Sequence, residues 1–398
     1  MTKKLLIAGG SHSDIPLIQA AKRLGCTVFT SGNLANAYGH SFGDGAYLAD
    51  FSDPEAILEL AKSLRVDAIC PSANDFSMIS SAYAAEQLGL PGYDSYVKTL
   101  QLHHKDSFRA LCAELDLSAP RSISLGVADQ KNFTLQQELR YPLIVKPIDL
   151  TGGKGILRVD NPGQLNDAMI AAFAISRAGR IVVEEFFEWS SLHSHSCILR
   201  DGKIVFDFAD NEYSYLNPYT VTTSTSPCSA ANSVLTGLRL ETERLAARLD
   251  LADGLLHCQF LVRGSDFKIV EYTRRMPGDL YSIPVLACTG VPYPELIVKT
   301  YLGLPVTDEC LVPRHTPTGV YFSRHCVLAA ANGRFEGIRL EPEIESNIVD
   351  RVVLYDSGHR VSNYLSERLA IFFLRYDSRG EMEDKSSRIN QLISAKLS

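Results

Sequence analysis

The chain has 398 residues, 45% hydrophobic and 21% charged, which is enough apolar material for two or three cored domains and excludes a mini-protein or a disordered chain. Its 39 basic and 46 acidic side chains leave a net charge of −7, so neither a phosphate-tracking nucleic-acid groove nor an anionic membrane surface suits it, and an anionic ligand needs a local site. Nine cysteines without a CxxC pair read as reduced thiols, no apolar run reaches membrane-span length, and the four apolar residues Leu5 to Ala8 are too few for a signal-peptide core; a reducing cytosol is the expected location.

From Lys4 an apolar run, the turn Gly9 to Asp14 and the helical stretch IPLIQAAKRLG lead into a second strand, CTVFTSG, which starts a βαβ alternation. DPEAILELAKSLR as helix, VDAICPSAND as strand and loop, and SMISSAYAAEQLG as helix continue it to Gly92, predicting a parallel sheet covered on both faces. A polar helix is predicted between Ser95 and Pro120. Beyond it SISL, YPLIVKPI, RIVVEEFF and SHSCILRDGKIVFDFAD read as strands, the last folded at its Asp-Gly turn, with a helix in DNPGQLNDAMIAAFAISRAG; such a mixture predicts α+β. Ala230 to Leu249 reads as helix and LLHCQFLVRGSDFKIVEYT as a hairpin turning at Arg263 to Asp266. From Thr316 further strand-like runs precede a helix in RINQLISAK.

Chemistry concentrates in three segments. Ile144 to Ile156 joins a buried strand bearing Lys146 to a loop in which Gly152, Gly153 and Gly155 let backbone N–H groups close on a polyphosphate while Lys154 adds a mobile charge; an ordinary hairpin turn has the same composition, and a Walker loop is excluded by the spacing. Gln259 and Glu271, twelve positions apart, fall on neighbouring strands with an amide and a carboxylate that suit Mg²⁺, or else decorate a solvated sheet face. In YTRRMPGDLY, Arg274 and Arg275 have opposite parity, so one can make a structural ion pair while the other faces developing negative charge. Asn74 and Asp75 end a parallel strand, where open α/β sheets bind ligands and where helices are also capped. His103, His104 and His257 read as hydrogen-bonded structural residues, and the aromatic stretch with Tyr213, Tyr215 and Tyr219 as a candidate substrate lid.

In this order the segments resemble the ATP-grasp superfamily over nearly the whole chain. The resemblance implies four parts: a Rossmann-like preliminary domain over 1–94, ending in AEQLGLPG; a linker helix and small subdomain with the GGKG loop over 95–185; a large subdomain with the metal hairpin over 186–315; and a C-terminal α+β extension over 316–398. It implies ATP with Mg²⁺ or Mn²⁺. Lys105 and Lys146 would reach the phosphates, and Lys154, with Gly152, Gly153 and Gly155, would cover the β and γ phosphates. Glu184, Glu185, Phe186 and Phe187 match the adenine strand, with Glu184 at the adenine amino group and Phe187 at the ring edge. His193 substitutes for the family's ribose carboxylate. Gln259, Glu271 and Thr273 are the implied metal residues. Thr273 replaces an asparagine, and Gln259 an acidic residue that carbamoyl-phosphate synthetases also replace by glutamine.

RRMPGDLY and the following IPVLACTGVPYPELIVKTYLGLP look most like carboxylate–amine ligases that join amino acids. In these, ATP phosphorylates a carboxylate and an amine attacks the acyl phosphate. Arg275 and Lys154 are then the catalytic candidates, and Arg275, Gly278, Asp279 and Asn74 the substrate candidates. The implied partners are a small carboxylate and a small amine, without nucleic acid or membrane; homodimers are common among such enzymes. Alternatives are a bicarbonate-activating enzyme like carbamoyl-phosphate synthetase or a carboxylase, and a nucleotide-binding module without turnover. A dinucleotide oxidoreductase is disfavoured because GGSHSD lacks the GxGxxG spacing.

Overall fold

The structure is a computed structural model that describes residues 2–129, 139–314 and 321–398. Strand Lys4–Ala8 pairs in parallel with Thr27–Gly32 and Ala68–Pro71, and Gly45–Leu48 adds an edge strand the sequence reading did not anticipate. Leu5 and Ile7 pack toward Leu17 on one side, whereas Leu6 and Ala8 pack toward Ile57 and Ala84 on the other. Burial on both faces is why this strand reads as an unbroken apolar run. Its first cluster also takes in Ile198, Leu255, Tyr281 and Tyr293 from the main antiparallel sheet, so one core joins the amino-terminal unit to the strands that carry the site.

The helix predicted between Ser95 and Pro120 is two helices, Tyr96–His103 and Lys105–Glu114. His104 is extended (φ −82°, ψ 123°) and breaks the ladder, which places Lys105 in the first turn of the second helix. Four antiparallel strands follow in the order Ser122–Gly126, Arg180–Glu185, Leu143–Pro147, Leu157–Val159. Helix Pro162–Ile175 packs on them, with the Asn161 side chain accepting from Gly163 N at 3.1 Å at its start.

An eight-stranded sheet forms the floor of the molecule. Its order is Asp266–Thr273, Gly254–Arg263, Ser191–Arg200, Lys203–Tyr213, Thr223–Ser226, Tyr321–Val327, Ala370–Tyr376, Ile348–Val353. The hairpin between its third and fourth strands turns at Asp201 (φ 52°) and Gly202 (φ 70°), the paired positive angles that an Asp-Gly turn supplies. The boundary expected at 315/316 lies outside the described residues. Just beyond it, Tyr321–Val327 pairs with Thr223–Ser226 and Ala370–Tyr376, extending the sheet that carries Gln259 and Glu271.

RINQLISAK is not one helix. Ile389–Leu392 makes a single turn, and Ile393–Leu397 is a strand paired with Gly333–Leu340; pairing to that partner overrides the weak local preference. Among the described residues, no helix is long and apolar enough to cross a membrane.

Candidate active site

The glycine loop, the strand end Glu184 to Phe187, the hairpin residues Gln259, Glu271 and Thr273, and the Arg275 loop line one cleft of about 290 Å³. Lys105, Lys146, Lys154, Gly152, Gly153, Gly278 and Asp279 line it too. Local chemistry sets the loop: Gly152, Gly153 and Gly155 all have positive φ (65°, 73° and 72°), and a Cβ on Gly153 would stand 2.7 Å from the Tyr219 carbonyl oxygen. Thr220 Oγ1 donates to the Gly152 carbonyl at 3.2 Å, so the aromatic stretch meets the loop through Tyr219 and Thr220. Tyr215 does not face the cleft as a lid residue would; its hydroxyl donates to Ser386 O at 2.7 Å, among the carboxy-terminal core residues.

At the end of the cleft that carries Lys105 and Lys146 one carboxylate serves two cations. Glu184 accepts from Arg109 Nε at 2.7 Å and Lys146 Nζ at 2.8 Å, and all three side chains are buried. Burial pushes Glu184 upward, but Arg109 and Lys146 outweigh it and hold the carboxyl down to about 2. Burial draws the Lys146 ammonium down to about 8 against the opposing pull of Glu184. Glu184, expected at the adenine amino group, therefore has its carboxylate committed to these cations, and the trio keeps one positive charge in excess. Lys105 Nζ donates to Leu150 O at 2.7 Å, at the root of the loop. Phe186 lies under the Arg158 guanidinium (4.2 Å) and against Trp189 (5.1 Å), and Phe187 under Arg263 (4.8 Å), which fixes the rim.

Gln259 and Glu271 stand directly opposite each other in register, as the alternation predicts. Glu271 has no hydrogen-bond or ion-pair partner among the described residues, and Gln259 Nε2 donates to Glu212 Oε2 at 2.6 Å. No cluster of three His, Cys, Asp or Glu side chains at metal-cage spacing occurs among the described residues. Mg²⁺ takes only one or two protein oxygens when phosphates supply the rest, and an unpartnered carboxylate opposite an amide fits that need. Thr273 Oγ1 donates to Asp75 Oδ1 at 3.0 Å and accepts from Arg275 N at 3.4 Å, which leaves one oxygen lone pair to ligate.

Two expectations are corrected. Asn74 is not in the cleft: its side chain caps helix Asp75–Leu88, accepting from Phe76 N at 2.9 Å. Asp75 instead receives Arg275 Nε and Nη2 at 3.0 and 2.8 Å, and His103 Nδ1 lies 3.1 Å away. Burial would raise Asp75, yet Arg275 and His103 hold it well below the usual carboxylate range. His193 does not line the cleft. Leu192 faces the cleft, so its neighbour points through the sheet, where His193 is fully buried against Phe260 (5.2 Å) and bonded to Ser191 Oγ at 2.7 Å. Burial draws its imidazole down to about 4, leaving it neutral.

Arg274 takes the structural role foreseen for one arginine of the pair, with Nε 2.9 Å from Asp94. Asp279 is held by Arg368 (3.2 Å), and the Gly278 carbonyl accepts from Arg324 Nη1 at 3.1 Å. The sequence reading missed Arg109, Glu212, Arg324 and Arg368. Their signal was thin: Arg109 lies on a buried helix face, Glu212 and Arg324 at inward positions of central strands, and Arg368 in a loop. Glu212 is raised to about 8 and Asp210 to about 6, in both by burial first, with Asp210 adding to the effect on Glu212. Acidic groups thus crowd together on the floor of the cleft, with Arg324 close enough to offset part of the effect on both.

Residues 104–203 match the family model described as carbamoyl-phosphate synthase L chain, ATP binding domain. The formate-dependent phosphoribosylglycinamide formyltransferase of Rhodococcus jostii (strain RHA1) is 25% identical over 317 residues, 78% of this chain and 77% of that one. The L-amino acid ligase from Bacillus licheniformis superposes with a TM-score of 0.82 at 17% identity, covering 100% of this chain and 99% of that one. The biotin carboxylase domain of the Hydrogenobacter thermophilus 2-oxoglutarate carboxylase, solved with MgADP, ADP and bicarbonate, gives 0.75 at 16% identity over 100% and 91% of the two chains. Residues 104–203 thus match an ATP-binding domain, and the whole chain shares the fold of these neighbours, with the glycine loop, the Gln259–Glu271 strand pair and the lysines gathered in one cleft.

Proposed function

We propose that the protein is an ATP- and Mg²⁺-dependent carboxylate–amine ligase. One observation carries the reading: Lys105, Lys146, Lys154, Glu271 and Arg275, drawn from distant parts of the sequence, line the same cleft. Phosphoryl transfer depends on placement and charge neutralisation rather than on an acid–base pair, and this cleft supplies both. Lysines and loop N–H groups hold the triphosphate. A carboxylate oxygen attacks the terminal phosphorus, ADP leaves, and an acyl phosphate forms; the amine nitrogen then attacks the acyl carbon, phosphate departs, and the nitrogen loses its proton to yield the amide. Arg275, fixed by two bonds to Asp75, is placed to offset charge on the transferred group. Bound Mg²⁺, held by Glu271 with Gln259 and Thr273, would neutralise the phosphate oxygens.

Relatives named for formate and a fold neighbour named for amino acids bracket the carboxylate, and we favour an amino acid, in a protein that works in the cytosol. ADP release is the test, measured with Mg-ATP against the twenty amino acids, formate and bicarbonate, singly and with amine acceptors. Stimulation by an organic carboxylate is expected, and Lys154→Ala should abolish it. Stimulation by bicarbonate alone moves the protein to the carboxylase-like alternative.

A further inference from the structure

Beyond the metal strands the floor of the cleft is polar and incompletely paired. Glu212, Ser224 and Arg324 stand opposite one another on three adjacent strands, and Glu271, Gln259, Ser194 and Asp210 form a second row. Residues opposite in register share a face, so the floor runs from acidic groups to an arginine. Glu212 is 6% exposed and lines the cleft. Its hydrogen-bond partner is the neutral Gln259 amide, and no cation lies within ion-pair distance among the described residues. Behind it Asp210, 1% exposed, is held by Ser194 Oγ, while its Oδ2 has no partner. Arg324, 4% exposed, gives Nη1 to the carbonyls of Gly278 and Asp279 and leaves Nε without a partner. Buried polar and ionisable groups are ordinarily paired, and here a carboxyl and a guanidinium share one floor without bonding to each other.

The spacing suits a ligand bearing both charges. Glu212 and Arg324 are two strands apart, about 9.5 Å between backbones. An α-amino acid with a hydrogen bond at either end spans roughly 8–9 Å. We propose that this floor is a zwitterion subsite, in which Glu212, backed by Asp210, receives the ammonium group of a free α-amino acid and Arg324 steers its carboxylate. The assignment rests on the ligase reading and names its substrate class; formate and bicarbonate have nothing to offer Glu212.

The test pairs each amino acid with its des-amino acid: L-alanine with propionate, L-leucine with 4-methylpentanoate, L-phenylalanine with 3-phenylpropanoate. Wild-type protein should prefer the amino acid by roughly 100-fold or more in kcat/KM for ADP release, since leaving a buried polar group unmatched is costly. Glu212→Gln, which keeps the shape and eases crowding with Asp210 and Glu271, should fold, raise the KM for the amino acid about tenfold or more and erase most of that preference. Equal use of both members of each pair would overturn the subsite. So would a Glu212→Gln protein with preference intact and only its Mg²⁺ requirement raised, because Glu212 would then be serving the metal. Calorimetric binding of the same amino acids to the ADP-loaded protein keeps the two readings apart. Glu212-dependent binding without turnover removes the ligase reading and leaves the subsite, whereas turnover without preference does the reverse.

Discussion

Replacing Lys146 and Glu184 in turn should shift stability in opposite directions. Lys146 is 5% exposed and its ammonium is drawn from 10.5 to about 8, which corresponds to about 3 kcal/mol by which folding disfavours the charged form. The sign follows directly. A lysine depressed on folding costs stability while it is protonated in both states, below about pH 8, and the cost fades as pH rises toward 10.5. Lys146→Met leaves Glu184 with one cation, Arg109 at 2.7 Å, so the variant should be as stable as the parent at pH 7 or up to about 3 kcal/mol more stable, with the gain vanishing near pH 10. Glu184→Gln leaves Arg109 and Lys146 buried and facing each other, and should cost about 3–5 kcal/mol. Affinity should not track stability: Lys146→Met loses a charged phosphate partner worth about 2 kcal/mol, about 30-fold in the Kd for ATP. Trp189, the one tryptophan of the chain and a residue of the cleft wall, reports both urea unfolding and nucleotide titration. A Lys146→Met protein that loses more than about 1 kcal/mol at pH 7 yet binds ATP as before would refute the reasoning, because Lys146 would then be a structural ion-pair partner.

ATP affinity should weaken as pH rises through about 8, where Lys146 loses its proton, and Lys146→Arg should flatten that dependence; fluorescence titration from pH 6.5 to 9.5 reads it. Asn74→Ala should cost about 1 kcal/mol in unfolding while kcat holds, since Asn74 only caps a helix, whereas Asp75→Asn frees Arg275 and should cut kcat about 100-fold; kinetics and urea melts of both separate neighbours one residue apart. Gly153→Ala demands φ near +73° and puts a Cβ 2.7 Å from the Tyr219 carbonyl oxygen, so the loop must shift and the KM for ATP should rise about tenfold or more with unfolding little changed, measured by initial rates against ATP.

The glycine loop, its neighbouring lysine and the Gln259–Glu271 pair were legible because each of these devices is local. A glycine run after a strand, a lysine near the strand's end, and a Gln and a Glu at matching positions of a hairpin can each be read within a dozen residues, and Gln259 does face Glu271. The arginine pairings were not, because their partners are far apart in sequence. Arg275 meets Asp75, Arg109 meets Glu184, and Arg324 meets the Gly278 carbonyl, and no pattern within one segment shows which acid a buried arginine will find. Two errors came from parity. His193 and Leu192 differ by one position, and a one-residue step in a strand turns a side chain through the sheet. Asn74 and Asp75 differ likewise, and the helix start gives one the capping role and turns the other to Arg275. The error at RINQLISAK came from context, since Ile393–Leu397 is a strand only because Gly333–Leu340 lies beside it.

The division of charge explains why so many polar groups are left incompletely paired in a buried place. Two cations share the single carboxylate of Glu184 in one part of the cleft, while Asp210, Glu212 and Glu271 crowd together in another with no bonded cation among the described residues. Pairing each group internally would stabilise the empty protein more, but would leave nothing for a ligand to complete. A polyphosphate satisfies the first surplus and a cation the second, so each ligand that enters relieves a cost the fold already carries. Ligand-free protein should for that reason gain more stability from the nucleotide and a cationic partner together than from the two added separately, since each also neutralises the other across the cleft.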